Sequence, residues 1–192
     1  MRILFLGNSF TYFHDLPDMV AEMLQAEVGR NLVGGAYLFQ HIDPADELCT
    51  VTHKLLTEEK WDYVVLQDQS QGPITHPAEF RHAVNALSGM IRAAGGMPVL
   101  YETWAYEEGS DTLASTGMTF EDMQQKLTAG YKAAAEENQA LLAPVGQAFA
   151  RARSTKQLYD ANDHYHPSLE GSKVAAETIA KVIREDAQSI RK

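Results

Sequence analysis

The chain has 192 residues, 45% hydrophobic and 22% charged, with one cysteine, Cys49. This globular composition excludes collagen-like, low-complexity and fully disordered chains, and a single cysteine excludes an internal disulfide scaffold or a cysteine-rich zinc site. Sixteen Lys and Arg against 26 Asp and Glu leave a charge of −10 at pH 7, which repels phosphate backbones, so nucleic acid is not an expected partner.

Short apolar runs alternate with amphipathic stretches along the whole chain, uninterrupted by a repeat, a linker or a charge block. The pattern predicts one domain, 1–192, of βαβ units around a doubly wound parallel sheet. Residues 2–6 read as the first strand. Leu16, Met19, Val20, Met23 and Leu24 then recur at helical spacing, and Pro17 suits a first turn. Further strands are expected at 31–33 and 63–66, the latter apolar throughout, as a strand buried on both faces should be. Phe80, Val84, Leu87 and Ile91 form a second helical stripe, closed by Gly95-Gly96, before a strand at 98–101. Residues 105–119 have no clean period and are expected to form a loop, long enough to serve as a lid or a site wall. Phe120, Met123, Leu127, Tyr131 and Ala134 mark a third helix, and a weak fifth strand is expected at 157–159. Ser168 suits the N-cap of a last helix that turns Val174, Ala175, Ile179, Val182 and Ile183 inward.

No apolar run approaches the ~20 residues that a bilayer needs, so no membrane partner is expected. The opening run stops at Gly7-Asn8-Ser9 without a cleavage pattern, and the expected location is the cytoplasm.

In a doubly wound sheet, ligands sit beyond the carboxyl ends of the strands. Gly7-Asn8-Ser9 follows the first strand: Gly7 permits a tight turn, and Ser9 stands where free N–H groups can meet an anion. Gly34-Gly35 follows the second, either as a turn needing positive φ or as a close approach to a ligand. Gln67-Asp68-Gln69-Ser70-Gln71 follows the third and offers neutral amide donors. Before the last helix stands Asp163-His164-Tyr165-His166-Pro167, where the Asp163 carboxylate can fold back onto one ring nitrogen of His166 and leave the other as a base. Asp163 could instead merely cap a turn. With Ser9, the set supplies a nucleophile, a base and an orienting acid. Tyr12, Phe13, Trp104 and Tyr106 follow strands as well, as pocket walls or rim packing. The isolated His14, His41, His53, His76 and His82 carry no partner pattern and read as solvated or satisfied, and Cys49 as inert core.

Taken in order, Gly7-Asn8-Ser9, Gly34-Gly35, Gln69 and Asp163-x-x-His166-Pro167 resemble the blocks of the SGNH/GDSL hydrolase superfamily, over the chain from residue 7 to residue 167 and into the final helix. The resemblance implies a flavodoxin-like three-layer αβα sandwich with a five-stranded parallel sheet ordered 2-1-3-4-5. It further implies an esterase that acts on a small-molecule ester without a metal or organic cofactor. Ser9, Asp163 and His166 take the catalytic positions, and the Ser9 and Gly35 N–H groups form the oxyanion hole with the Gln69 side chain. Gly34 is the alternative to Gly35. Two departures stand out: the usual Gly-Asp-Ser-Leu is Gly7-Asn8-Ser9-Phe10, and Gln69 replaces the block III asparagine, adding one methylene.

The polar 105–119 segment leans toward a small acyl group, such as acetyl, on a hydrophilic alcohol such as a sugar, with Tyr12 and Trp104 as candidate substrate-binding residues. Two readings compete. A flavodoxin-like FMN or phosphate binder would cradle phosphate with the Ser9 and Thr11 hydroxyls. A carbohydrate-binding module without turnover would use Trp104 and the glutamine cluster.

Overall fold

The structure, a computed structural model, describes residues 1–190. Five strands, β1 (Arg2–Gly7), β2 (Glu27–Leu32), β3 (Tyr63–Leu66), β4 (Met97–Tyr101) and β5 (Leu141–Ala143), pair in parallel in the order β2-β1-β3-β4-β5. Successive side chains of a strand point to opposite faces, and both faces here are covered. Ile3 and Phe5 enter one core with Leu16 and Val20 of α2 (Leu16–Leu24) and Ile179 and Ile183 of α9 (Leu169–Ile190). Leu4 and Leu6 enter the other with Leu56 of α3 (Glu47–Glu58) and Phe80, Val84, Leu87 and Ile91 of α5 (Pro77–Ala93). Burial on both faces is why these strands read as unbroken apolar runs. Helix α7 (Phe120–Glu137) serves both cores, with Phe120, Met123 and Leu127 in the first and Tyr131 and Ala134 in the second. Ser168 caps α9 by accepting the Gly171 N–H at 3.1 Å.

The expected fifth strand is misplaced. Tyr159 makes only an isolated antiparallel bridge to Pro167, and the sheet edge is completed by Leu141–Ala143 beside β4. Three residues are too few to show a period, and this strand runs through Pro144 straight into α8 (Val145–Ala152). Strand β2 begins at Glu27 rather than residue 31, its outer position leaving Glu27 and Arg30 exposed. Helix α3 escapes the pattern because its buried stripe is Leu48, Thr52 and Leu56, with a threonine in the middle. Of the two readings for His41, solvated or satisfied, neither holds fully: it is buried, its Nδ1 lies 2.8 Å from Thr52 Oγ1, and its Nε2 has no partner among the described residues. Cys49 is half-buried on α3 rather than in the core. Among the described residues, no helix is long and apolar enough to cross a membrane.

Candidate active site

The end of β1 is built around a glycine. A Cβ at Gly7 would stand 2.7 Å from Gln67 Oε1 and 3.1 Å from Thr11 Oγ1. That space lets the Gln67 carboxamide oxygen accept the Asn8 N–H at 3.0 Å and the Thr11 hydroxyl at 2.7 Å. Asn8 caps the short helix α1 (Ser9–Tyr12) through the Phe10 N–H at 3.1 Å, and its Nδ2 donates to the Ala36 carbonyl at 2.9 Å. Ser9 therefore opens a helix, and its own N–H has no acceptor among the described residues.

Ser9, His166 and Asp163 meet, though 157 residues separate the first two. His166 Nε2 lies 2.7 Å from Ser9 Oγ, and His166 Nδ1 lies 2.7 Å from Asp163 Oδ2. Asp163 Oδ1 accepts the N–H groups of Tyr165 at 3.0 Å and His166 at 2.9 Å. Partial burial opposes ionisation of Asp163. The hydrogen bonds from the His166 side chain and from the Tyr165 and His166 backbone outweigh it and hold the carboxyl below the usual aspartate range. A carboxylate facing Nδ1 requires the proton there, which leaves Nε2 to accept from the serine hydroxyl. The Phe13 ring stacks on His166 at 4.4 Å and 4° between planes, and the tilted Tyr165 ring lies 4.2 Å from that of His166, centroid to centroid.

Ser9 and His166 line a cleft of about 390 Å³ at the carboxyl ends of the strands, together with Tyr12, Phe13, Tyr165, Gly34, Gly35 and Gln69. Gly35 has φ +71°, a left-handed conformation, and its N–H has no acceptor among the described residues. At Gly34 a Cβ would come within 3.0 Å of Tyr12 Oη. Gln69 is half-buried in the cleft wall.

Not every expectation holds. Trp104 does not reach the cleft: it is fully buried, stacked between Phe10 at 4.4 Å and Phe149 at 4.0 Å. Its indole N–H donates to the Tyr165 carbonyl at 2.9 Å, so it supports the Asp163–His166 loop from beneath. Residues 105–119 form no lid. They contain the short helix α6 (Asp111–Ala114) and pack behind the same loop, with Glu107 N–H on the His164 carbonyl at 2.9 Å and Thr112 Oγ1 on the Asp163 carbonyl at 2.8 Å. His164, half-buried beside His166, pairs with Glu107 at 2.7 Å. Thr11 is buried on Gln67 and cannot cradle a phosphate with Ser9. Among the described residues, no group of three His, Cys, Asp or Glu side chains is placed to hold a metal ion.

Four residues of the cleft lining, Asn8, Phe10, Ser70 and Tyr165, stand in the sequence motifs without a site role of their own. Asn8, Phe10 and Tyr165 could have been found by adjacency, since each neighbours a member of the Ser9–His166 pair. Ser70 carries no such signal.

No family model and no curated protein matches the chain. Solved structures do. A protein from Slackia heliotrinireducens, described as a putative SGNH hydrolase, is 41% identical over 95% of this chain and 98% of its own, with a TM-score of 0.89. A DUF4886 family protein from Bacteroides uniformis is 20% identical, over 95% of this chain and 82% of its own, with a TM-score of 0.69. A catalytic mutant of Axe2, an acetylxylan esterase from Geobacillus stearothermophilus, is 18% identical over 95% and 93%, with a TM-score of 0.69. The last two are likenesses of fold. The first carries more: the chain belongs to the SGNH/GDSL superfamily and is a hydrolase of that class.

Proposed function

We propose that the protein is a serine esterase that hydrolyses a carboxylic ester through an acyl-enzyme intermediate. The observation that carries this reading is the unbroken chain Ser9 Oγ–His166 Nε2 and His166 Nδ1–Asp163 Oδ2, 2.7 Å at each link, in an open cleft. Ser9 Oγ attacks the ester carbonyl while His166 accepts its proton, and the Asp163 carboxylate stabilises the imidazolium. The oxyanion is received by the Ser9 and Gly35 N–H groups and the Gln69 amide, donors held in place before charge develops. His166 then protonates the departing alcohol, and a water activated by the same ring releases the acid. Support for the acid and base roles comes also from Axe2, whose catalytic mutants replace a serine and an aspartate and histidine three positions apart, the spacing of Asp163 and His166.

The substrate we propose is a small acyl group, such as acetyl, on a hydrophilic alcohol such as a sugar. A cleft of about 390 Å³ must hold both parts of the ester. The Phe13 and Tyr165 rings lie against His166, which protonates the leaving alcohol, and with Tyr12 beside Phe13 they offer aromatic surface on which a sugar face can stack.

Turnover of p-nitrophenyl esters of increasing chain length and of acetylated xylo-oligosaccharides tests this reading. Wild type should favour acetyl, Ser9→Ala should lose turnover by ~10⁴-fold or more, and a serine-directed phosphonate should label Ser9. Equal turnover by Ser9→Ala, or an adduct on Ser70 or Ser168, overturns it.

A further inference from the structure

The Gln69 carboxamide stands in a closed ring of hydrogen bonds. The Gln71 N–H donates to Gln69 Oε1 at 2.8 Å, which settles which end of the amide is oxygen. Gln69 Nε2 then donates to Ser70 Oγ at 3.0 Å. Ser70 Oγ lies 2.7 Å from Tyr106 Oη, and Gln71 Nε2 donates to the same Tyr106 Oη at 3.0 Å. Ser70 and Tyr106 are buried, and Thr103 Oγ1 holds the Ser70 carbonyl at 3.1 Å. An amide nitrogen has two hydrogens. One is committed to Ser70, and the other has no acceptor among the described residues, in a side chain that lines the cleft with Ser9.

We propose that Tyr106, acting through Ser70, is a positioning residue that aims the free N–H of Gln69 at the oxyanion; the inference rests on the esterase reading above. Glutamine has one more side-chain torsion than asparagine, so an unsupported amide at this position would sample several directions. An oxyanion donor works only when it is in place before the charge appears. The ring supplies that constraint from the loop after β4, outside the cleft. Tyr106 touches no reacting atom. Its ring packs beside Tyr165, at 5.4 Å between centroids, and that packing survives removal of the hydroxyl.

The test is a double-mutant cycle on p-nitrophenyl acetate, with Tyr106→Phe, Gln69→Ala and the pair, and thermal melts beside the kinetics. Tyr106→Phe should lower kcat roughly tenfold or more, with KM within about twofold and melting little changed. Gln69→Ala should lower kcat by roughly 10²–10³-fold, and the double variant should fall no further than Gln69→Ala. Ser70→Ala should resemble Tyr106→Phe, while Ser70→Thr, which keeps a hydroxyl, should recover part of the loss. Wild-type kcat in Tyr106→Phe, or additive losses in the double variant, overturns the proposal. Should Tyr106→Phe melt early, the Ser70→Ala and Ser70→Thr pair decides by the same criteria. Ser9→Ala separates the two readings: full turnover there defeats the esterase assignment, whereas an inactive Ser9→Ala beside a wild-type Tyr106→Phe defeats the positioning role alone.

Discussion

Asp163 has two jobs, one for each oxygen. Oδ1 takes the Tyr165 and His166 N–H groups and shapes the turn, while Oδ2 faces His166 Nδ1. Asp163→Asn should preserve the turn, since an amide oxygen accepts the same N–H groups. The amide nitrogen would then face the ring and favour the tautomer with its proton on Nε2, the wrong end for a base. We expect kcat to fall by roughly 10²–10⁴-fold with KM nearly unchanged, measured by steady-state kinetics. Wild-type kcat would mean that another group orients the ring. Ser9, Asp163 and His166 were legible in the sequence because their signals are local: a glycine-led turn, and an acid three residues before a histidine. The setting of Gln69 was not, since its support comes from Tyr106, 36 residues beyond Ser70.

Among the elements, the end of β4 anchors the helices on its outer side. The buried Glu102 carboxylate accepts from Gln124 Nε2 at 3.0 Å and Thr128 Oγ1 at 2.7 Å on α7, and from Gln147 Nε2 at 2.9 Å on α8. Burial raises its pKa despite these bonds. Glu102→Ala leaves three polar side chains without their acceptor. It should cost about 3 kcal/mol, a fall in Tm of roughly 6–12 °C. Glu102→Gln keeps one acceptor oxygen and should lie between alanine and wild type; thermal melts of both variants check the order. Unchanged melting in Glu102→Ala would make the knot incidental. Helix α8 and β5 were not legible, because both are short and their partners lie across the fold.

At the scale of the whole molecule, two of the buried titrating groups, Asp68 and His41, act on stability in opposite senses. Burial pushes Asp68 up from 3.8 to about 7, against the hydrogen bonds from the Leu38 and Gln69 backbone. A raised carboxyl adds stability that is fully present below pH ~4 and lost as pH rises through about 7. Burial lowers His41 from 6.5 to about 4, against the attraction of Asp46. A depressed histidine adds stability that is present above pH ~6.5 and lost as pH falls through about 4. Between these limits the two slopes oppose. Asp68→Asn removes one, so the Tm of this variant minus that of wild type should grow more positive from pH 4 to pH 8. A difference independent of pH would show that Asp68 ionises freely in the folded protein.

The alternation of apolar runs and amphipathic stripes pointed by itself to βαβ units around a doubly wound parallel sheet, because strands buried on both faces and helices buried on one leave different periods; the three-layer sandwich and its strand order came from the family resemblance. Local motifs likewise marked Ser9, Asp163 and His166. Which three residues close the sheet edge, whether Trp104 meets solvent or two rings, and what stands behind Gln69 were decided only by tertiary packing. Those outcomes depend on side chains brought together across the sheet, and no local period or motif records the partner that a residue meets there.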